Sequence, residues 1–565
     1  MSFNSSTYEN FVSTSSAAQS RLFPQYQGHR TDFDIIVIGS GIGGGVLADD
    51  LADRLGARKR ILVLEAGSYL FPTHVFNICR FPNGSVAANF ACKTFWQSGD
   101  GGSQYYIHIH ERPQLNFGGR SIFWSGLIPA IQSWELEFFP PRVHQDLTMG
   151  LLEQAGDKMN ESATMGTTAR AIVKKLRLSL LANDFEIQET PRALHQPYLT
   201  REGRPTDRYF VEPTGVFNTA ELLINQAGLT PGVSRGDGPG MHILLNHYVE
   251  DVQNAPGNRF ELVTRNTLDG HVRNFQAGTV VLAGGSIESP KLLRRSTLFH
   301  SLPDKVKPLV GRGLTDHPTT DWIRTFATNI GDVPIPKDAH AKIIFYSLGK
   351  RDSQNQIRYP FNVEMNINHE YWHLRENDPS ASTAPINNSG ASIVEIKFSF
   401  GNCLDSGNEV KPASPYGYGR YVPEIAFKNL NWMDHLAGSC FPALAGWQKS
   451  DEGIFAVLNK ITDQIFSQFQ HHGSQSRPEN EIWYGLNKKG FGFGTVHHAV
   501  GTLRMPHRGW YDGPIQSESV VDEDLRVVGT QQLYVCDMSV MPFSSAANPV
   551  RTLVALALRL SKHLG

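Results

Sequence analysis

The chain has 565 residues, 40% of them hydrophobic and 19% charged, with 52 Lys and Arg set against 54 Asp and Glu. This length suits a large enzyme of two or more domains, able to bury its own core without a metal or disulfide frame. A formal net charge of −2 excludes a basic nucleic-acid-binding protein and an acidic tail.

The first stretch, to Phe23, is rich in Ser and Thr and has neither the basic nor the apolar segment of a signal peptide. It predicts a polar extension over residues 1–31. No run reaches the roughly 18 apolar residues of a membrane span, so a cytoplasmic chain with no membrane partner is expected. The five cysteines (79, 92, 403, 440 and 536) form no C-x-x-C pair and are odd in number. They predict reduced thiols, not a disulfide framework or a zinc module.

Residues 34–38 (DIIVI) read as a buried strand. The run Gly39-Ser40-Gly41-Ile42-Gly43-Gly44-Gly45 follows, then a helix with Leu47, Leu51 and Leu55 on one face, ending at Gly56. Residues 61–64 (ILVL) form a second strand closed by Glu65, which completes a βαβ unit. In Gly39-x-Gly41-x-x-Gly44 the first glycine allows the tight turn and the second lets backbone approach a pyrophosphate. The third lets helix and strand pack closely. Glu65 stands 21 residues beyond Gly44, where a carboxylate meets a ribose 2′-OH and repels the 2′-phosphate of NADP. The fingerprint leaves NAD and FAD both open.

Further along, 278–283 (GTVVLA) is a strand ending in Gly284-Gly285-Ser286, and 532–536 (QLYVC) is a strand ending at Asp537. A last helix is predicted over 550–564. The long stretches 136–207 and 326–494 are rich in aromatics, Asn and turn residues. Within them 359–374 suits antiparallel strands. The predicted fold is therefore α/β (α+β overall). A discontinuous Rossmann-like nucleotide domain is expected from 32–135, 208–325 and 495–565. An antiparallel-sheet substrate domain from 136–207 and 326–494 is expected to be inserted into it. The pairs His108/His110 and His471/His472 have no third ligand at a recognisable spacing, so no metal is expected.

Five separated segments resemble the glucose–methanol–choline (GMC) oxidoreductases, which are FAD enzymes. They are the fingerprint with Leu64-Glu65-Ala66-Gly67; Phe117 to Ser125; Ala283 to Leu293; Gly311 to Pro318; and a last group. That group runs from His498 through Gly501-Thr502 and Arg504-Met505 to Val535-Cys536-Asp537 and Asn548-Pro549. The segment Gly118-Gly119-Arg120-Ser121-x-x-Trp124 looks more like the pyranose-oxidase and glycoside-oxidase branch. Some members of that branch attach FAD through a His just before the Trp. Phe123 stands there in this chain, which implies non-covalent FAD.

The resemblance implies a set of cofactor-binding residues: Gly39, Gly41, Gly44, Glu65, Gly118, Gly119, Ser121, Trp124, Val249, Gly284, Asp537, Asn548 and Pro549. The backbone of Val249 would meet the adenine. Asn548-Pro549 would open the last helix toward the flavin. His498 would be the general base and Asn548 the second group on the substrate oxygen. His497 neighbours it and, on a strand, faces the other way. The implied reaction is oxidation of a sugar or glycoside hydroxyl to a carbonyl, by hydride transfer to flavin N5, with O2 or another electron acceptor. A non-redox lyase on the same fold and an oxidase of a non-sugar alcohol are the alternatives. Trp322, Trp372, Tyr416, Tyr418 and Trp432 are candidates for stacking a sugar ring.

Overall fold

The computed structural model describes residues 25–56, 58–69, 95–98, 114–161, 167–194, 216–228, 236–320, 322–336, 341–353, 355–368, 391–415, 421–427, 440–441, 454–471, 498–509 and 514–565. In chain order, the elements that build the site begin with β1 (Asp32–Ile38), α1 (Ile42–Leu55), β2 (Arg60–Leu64) and β3 (Phe185–Glu189). Next come β4 (Gly240–Leu244), β5 (His247–Ala255), β6 (Arg259–Asn266), β7 (Val272–Leu282) and α2 (Gly285–Arg295). Then follow β8 (Ile323–Ile330), β9 (Ala341–Ser347), β10 (Phe361–Ile367), β11 (Ser392–Phe400), β12 (Leu533–Val535) and α3 (Val550–Leu564).

The first sheet has the order β4-β2-β1-β7-β6-β5, with β12 added on β7. β1, β2, β4, β7 and β12 run parallel, with Ile35 opposite Ile61 and Ile36 opposite Val280. Continuous runs of Ile, Val and Leu suit strands covered on both faces. Ile36, Val37, Leu62, Val63, Val280 and Val281 are all fully buried. β7 is longer than the predicted 278–283. Its first half pairs antiparallel with β6 and its last residues pair parallel with β12. The carboxyl ends of β1, β2, β7 and β12 thus share one edge, where they release Gly39, Glu65, Gly284 and Asp537. That edge is where open α/β sheets bind ligands.

The second sheet is antiparallel, in the order β8-β11-β10-β9-β3, with residues 333–334 and 469–471 pairing on β8. The register divides its residues sharply between two faces. Ile323, Ile343, Phe345, Val363, Met365, Ile396 and Phe398 lie on one face and form a core. Lys342, Asn362, Glu364, Asn366, Glu395 and Ser399 alternate with them on the other face, yet they are also buried.

The cysteine expectation needs correction. Cys403 and Cys440 form a disulfide with their Cα atoms 5.3 Å apart. The two positions are separated by 37 in the sequence with no spacing signal, and the fold brings them together beside Phe543, which pairs with Cys403 and packs against Phe441. Cys536 is a buried thiol, and Cys79 and Cys92 lie outside the described residues. Residues 25–31 are tied to the first sheet: Tyr26 is buried and its N–H donates to Ile243 O on β4. No helix among the described residues is long and apolar enough to cross a membrane.

Candidate active site

One cavity of about 740 Å³ runs from the fingerprint to the polar face of the second sheet. At its nucleotide end the glycines divide their work. Gly39 has φ +110°, and a Cβ there would lie 2.4 Å from Ala283 O. A Cβ at Gly44 would lie 2.2 Å from Gly39 O, so this glycine lets α1 press onto the turn. A Cβ at Gly41 would meet no protein atom within 4 Å, although Gly41 lines the cavity. Gly41 is also the N-cap of α1, which has no side-chain cap and no acid in its first turn. A backbone-lined, uncapped helix start of this kind fits a pyrophosphate.

Two buried carboxylates brace this end. Glu65 accepts from Ser40 N at 3.1 Å, Ser40 Oγ at 2.6 Å and Gly67 N at 2.8 Å. It therefore fixes the fingerprint turn as well as facing the cavity. Asp537 accepts from Gly285 N, Ser289 Oγ, Ser539 N and Ser539 Oγ at 2.5–2.8 Å. It clamps the end of β12 to the start of α2. Burial pushes both carboxyl groups upward in pKa, against these hydrogen bonds.

The other end is set by a short antiparallel pairing. Val500 N donates to Thr315 O at 2.8 Å and Thr315 N donates to Val500 O at 3.2 Å. Two residues along each strand from that bridge stand His317 and His498, on the same face. Their rings stack at 4.8 Å and 26°, with His317 Nε2 2.6 Å from His498 Nδ1. His317 is buried, and burial, aided by the charge of Lys397, pushes its imidazole down to about 3. It is neutral at working pH. Asp316 lies beside the pair. Two nitrogens sharing a tetrahedral ion at 2.0–2.1 Å would be about 3.3 Å apart, so the 2.6 Å contact is a hydrogen bond. Ser286 Oγ donates to Ala499 O at 2.6 Å, and Thr502 Oγ1 donates to Ser286 O at 2.7 Å. These bonds anchor the His498 segment to α2.

The chain matches the GMC oxidoreductase family models over residues 234–319 and 457–557. Both stretches match one family, through its N-terminal and C-terminal models. It is 23% identical to the pyranose dehydrogenase of Agaricus campestris, over 93% of this chain and 92% of the relative. It is 25% identical to a GMC-type oxidoreductase of Sinorhizobium fredii, over 94% of each. Its fold is similar to that of pyridoxine 4-oxidase from Mesorbium loti, with TM-score 0.57, 16% identity, and coverage of 94% and 98% of the two chains. Formate oxidase gives the same TM-score and coverage at 14% identity. The GMC oxidoreductases that the chain resembles are FAD-binding flavoproteins, and the uncapped start of α1 together with the Gly41 cradle fits that cofactor.

Of the residues predicted for this GMC site, Gly39, Gly41, Glu65, Gly119, Trp124, Val249, Gly284, Asp537, Asn548, Pro549 and His498 all line the one cavity. Gly44, Gly118 and Ser121 stand behind its wall. Gly118 N donates to Ser40 Oγ at 2.9 Å, and Ser121 Oγ donates to Gly118 O at 2.6 Å. Trp124 Nε1 donates to Phe217 O at 2.8 Å, which fixes the indole at the cavity's edge. Trp322 lines the cavity. His497, Trp372, Tyr416, Tyr418 and Trp432 lie outside the described residues, as do His108, His110 and His472.

Sequence reasoning missed His317 and the lysines and glutamate of the second sheet. It also missed Glu135, which governs the loop carrying Asn548. Glu135 is fully buried and accepts from the N–H groups of Ala546 and Gln132. Burial outweighs those bonds and pushes its carboxyl from 4.5 up to about 7. The unfolded chain releases this proton near 4.5 while the folded chain keeps it, so stability falls as pH rises from about 4.5 to about 7. Glu135→Gln keeps an acceptor for Ala546 and is expected to flatten that slope. Thermal melts across this range, wild type beside variant, check it; parallel slopes contradict the assignment.

Proposed function

We propose that the chain oxidises a sugar or glycoside hydroxyl to a carbonyl, with His498 as general base and FAD held without a covalent bond. The observation that supports this reading best is the His317–His498 pair on the same cavity as the nucleotide fingerprint. Bound FAD supplies the hydride acceptor. His498 Nε2 takes the hydroxyl proton as the carbonyl forms. For that, His498 must carry its own proton on Nδ1 and donate it to His317 Nε2. His317 then carries its proton on Nδ1, the buried atom that has no hydrogen-bond partner among the described residues. Neutral His317 thus selects the tautomer of His498 and shares the charge once His498 is protonated. Asn548 offers an amide to the substrate oxygen without titrating. The N-terminus of α3 behind it has no acid in its first turn, so its positive dipole end favours negative charge in the cavity.

The test is anaerobic bleaching of the yellow protein across sugars, glycosides, and aryl and alkyl alcohols. Bleaching by sugars supports the reading, and bleaching by other alcohols alone moves it to a non-sugar oxidase. Absence of bleaching with every alcohol returns the lyase alternative. Phe123, which lines the cavity, has no nucleophile to form a flavin bond. Acid precipitation is therefore expected to leave all the FAD in the supernatant, measured by its absorbance. Flavin retained in the pellet contradicts non-covalent binding.

A further inference from the structure

The cavity wall opposite the fingerprint has a composition that simple alcohol chemistry does not need. It is the polar face of the second sheet. The strand register sets a row across it: Lys397 on β11 stands directly opposite Glu364 on β10, and Glu364 stands opposite Ile344 on β9. Trp322 precedes β8 at the position flanking Lys397, whose Nζ lies 5.0 Å from the indole centroid. Lys342 is two residues before Ile344, on the same face. Trp322, Lys342, Glu364 and Lys397 all line the cavity, together with His498.

Three ionisable side chains on a buried sheet face are expensive to desolvate and mark a site that uses them. Lys397 Nζ pairs with Glu364 at 3.2 Å, and Ser399 Oγ donates to the same glutamate at 3.3 Å. Burial pushes Glu364 up, but Lys397 and Lys342 outweigh it and hold the carboxyl below its ordinary value, so it is ionised. Among the described residues, this wall therefore presents two ammonium groups and one carboxylate whose oxygens are already engaged. An ammonium has three N–H donors, so a lysine bonded within the protein still has donors for a ligand. Trp322 supplies a flat apolar face beside them.

We propose that this wall selects alcohols that carry a carboxylate, with Lys342 and Lys397 holding the acid group and Trp322 the carbon skeleton next to it. On the sugar reading above, on which this rests, the substrates are sugar acids. The carboxylate anchors the molecule on the second sheet and turns its hydroxyl toward His498.

The test uses acids and their isosteric neutral amides on the holoenzyme at pH 7: glucuronate against glucuronamide, 4-(hydroxymethyl)benzoate against its amide, and benzoate against benzamide. Binding is read from the perturbation of the FAD absorbance, which needs no turnover. Each acid is expected to bind at least tenfold more tightly than its amide. Lys342→Gln, which leaves the Lys397–Glu364 pair intact, and Lys397→Gln should each bring the ratio of acid to amide affinity down toward one. Lys397→Arg should retain the preference. Equal binding of acids and amides, no binding of any acid, or a preference that survives both glutamine substitutions overturns the proposal. Acids that bind with the expected preference while none bleaches the flavin would leave the anion site standing and overturn the oxidase reading instead.

Discussion

His498→Ala is expected to slow anaerobic flavin reduction by about 10²–10⁴-fold, the usual share of one general base. FAD should stay bound, because the pyrophosphate end of the cavity is built from α1, Glu65 and Asp537, while His498 is positioned by the Thr315–Val500 pairing at the other end. The loss should shrink at high pH, where more of the substrate is alkoxide and needs no base. Asn548→Ala should lose less, because an amide orients the hydroxyl without accepting its proton. Stopped-flow absorbance with parallel FAD counts checks both variants. An unchanged rate in His498→Ala would assign the base elsewhere, and His497 is the first residue to test. A fall that tracks lost FAD would make His498 structural.

His317→Phe is expected to slow the same step by about 10–150-fold. A hydrogen bond to a charged group is worth roughly 1.5–3 kcal/mol, and that is the bond lost when His498 becomes charged. The pH profile separates this role from simple packing. Neutral His317 stabilises the protonated form of His498, so its removal should move the rising limb of the rate to lower pH. His317→Gln, which keeps a carbonyl acceptor, should recover part of the rate. A variant with wild-type kinetics, or one whose loss is independent of pH and not relieved by Gln, contradicts the pairing.

How much of this was legible beforehand depends on range. The βαβ unit could be read because strand, glycines, helix and acid follow one another within one short stretch, each with its own local signal. The last helix, Val550–Leu564, was equally local, opened by a proline and periodic throughout. The double pairing of β7 was not visible, since nothing in its sequence separates the residues facing β6 from those facing β12. The alternation in Asn362-Val363-Glu364-Met365-Asn366 was present in the sequence, and it does predict a two-faced strand. Which face looks into the cavity depends on what the apolar face packs against, so Glu364, Lys342 and Lys397 escaped notice. His317 sits inside Gly311–Pro318, one of the segments that carry the family resemblance. Its partner is 181 residues away, and only the Thr315–Val500 bridge aligns the two imidazoles. The Cys403–Cys440 bond failed to register for the same reason.

The most direct test of the whole account is the α-deuterium isotope effect on flavin bleaching, measured by anaerobic stopped flow with a protiated alcohol and its α-deuterated form. If this cavity holds FAD beside a hydroxyl whose proton goes to His498, the flavin bleaches in a single turnover and deuterium at the carbinol carbon slows it several-fold. The slower rate should persist, scaled down, in His498→Ala. Bleaching at equal rates with both alcohols, or a yellow protein that no alcohol bleaches, would contradict hydride removal at this site.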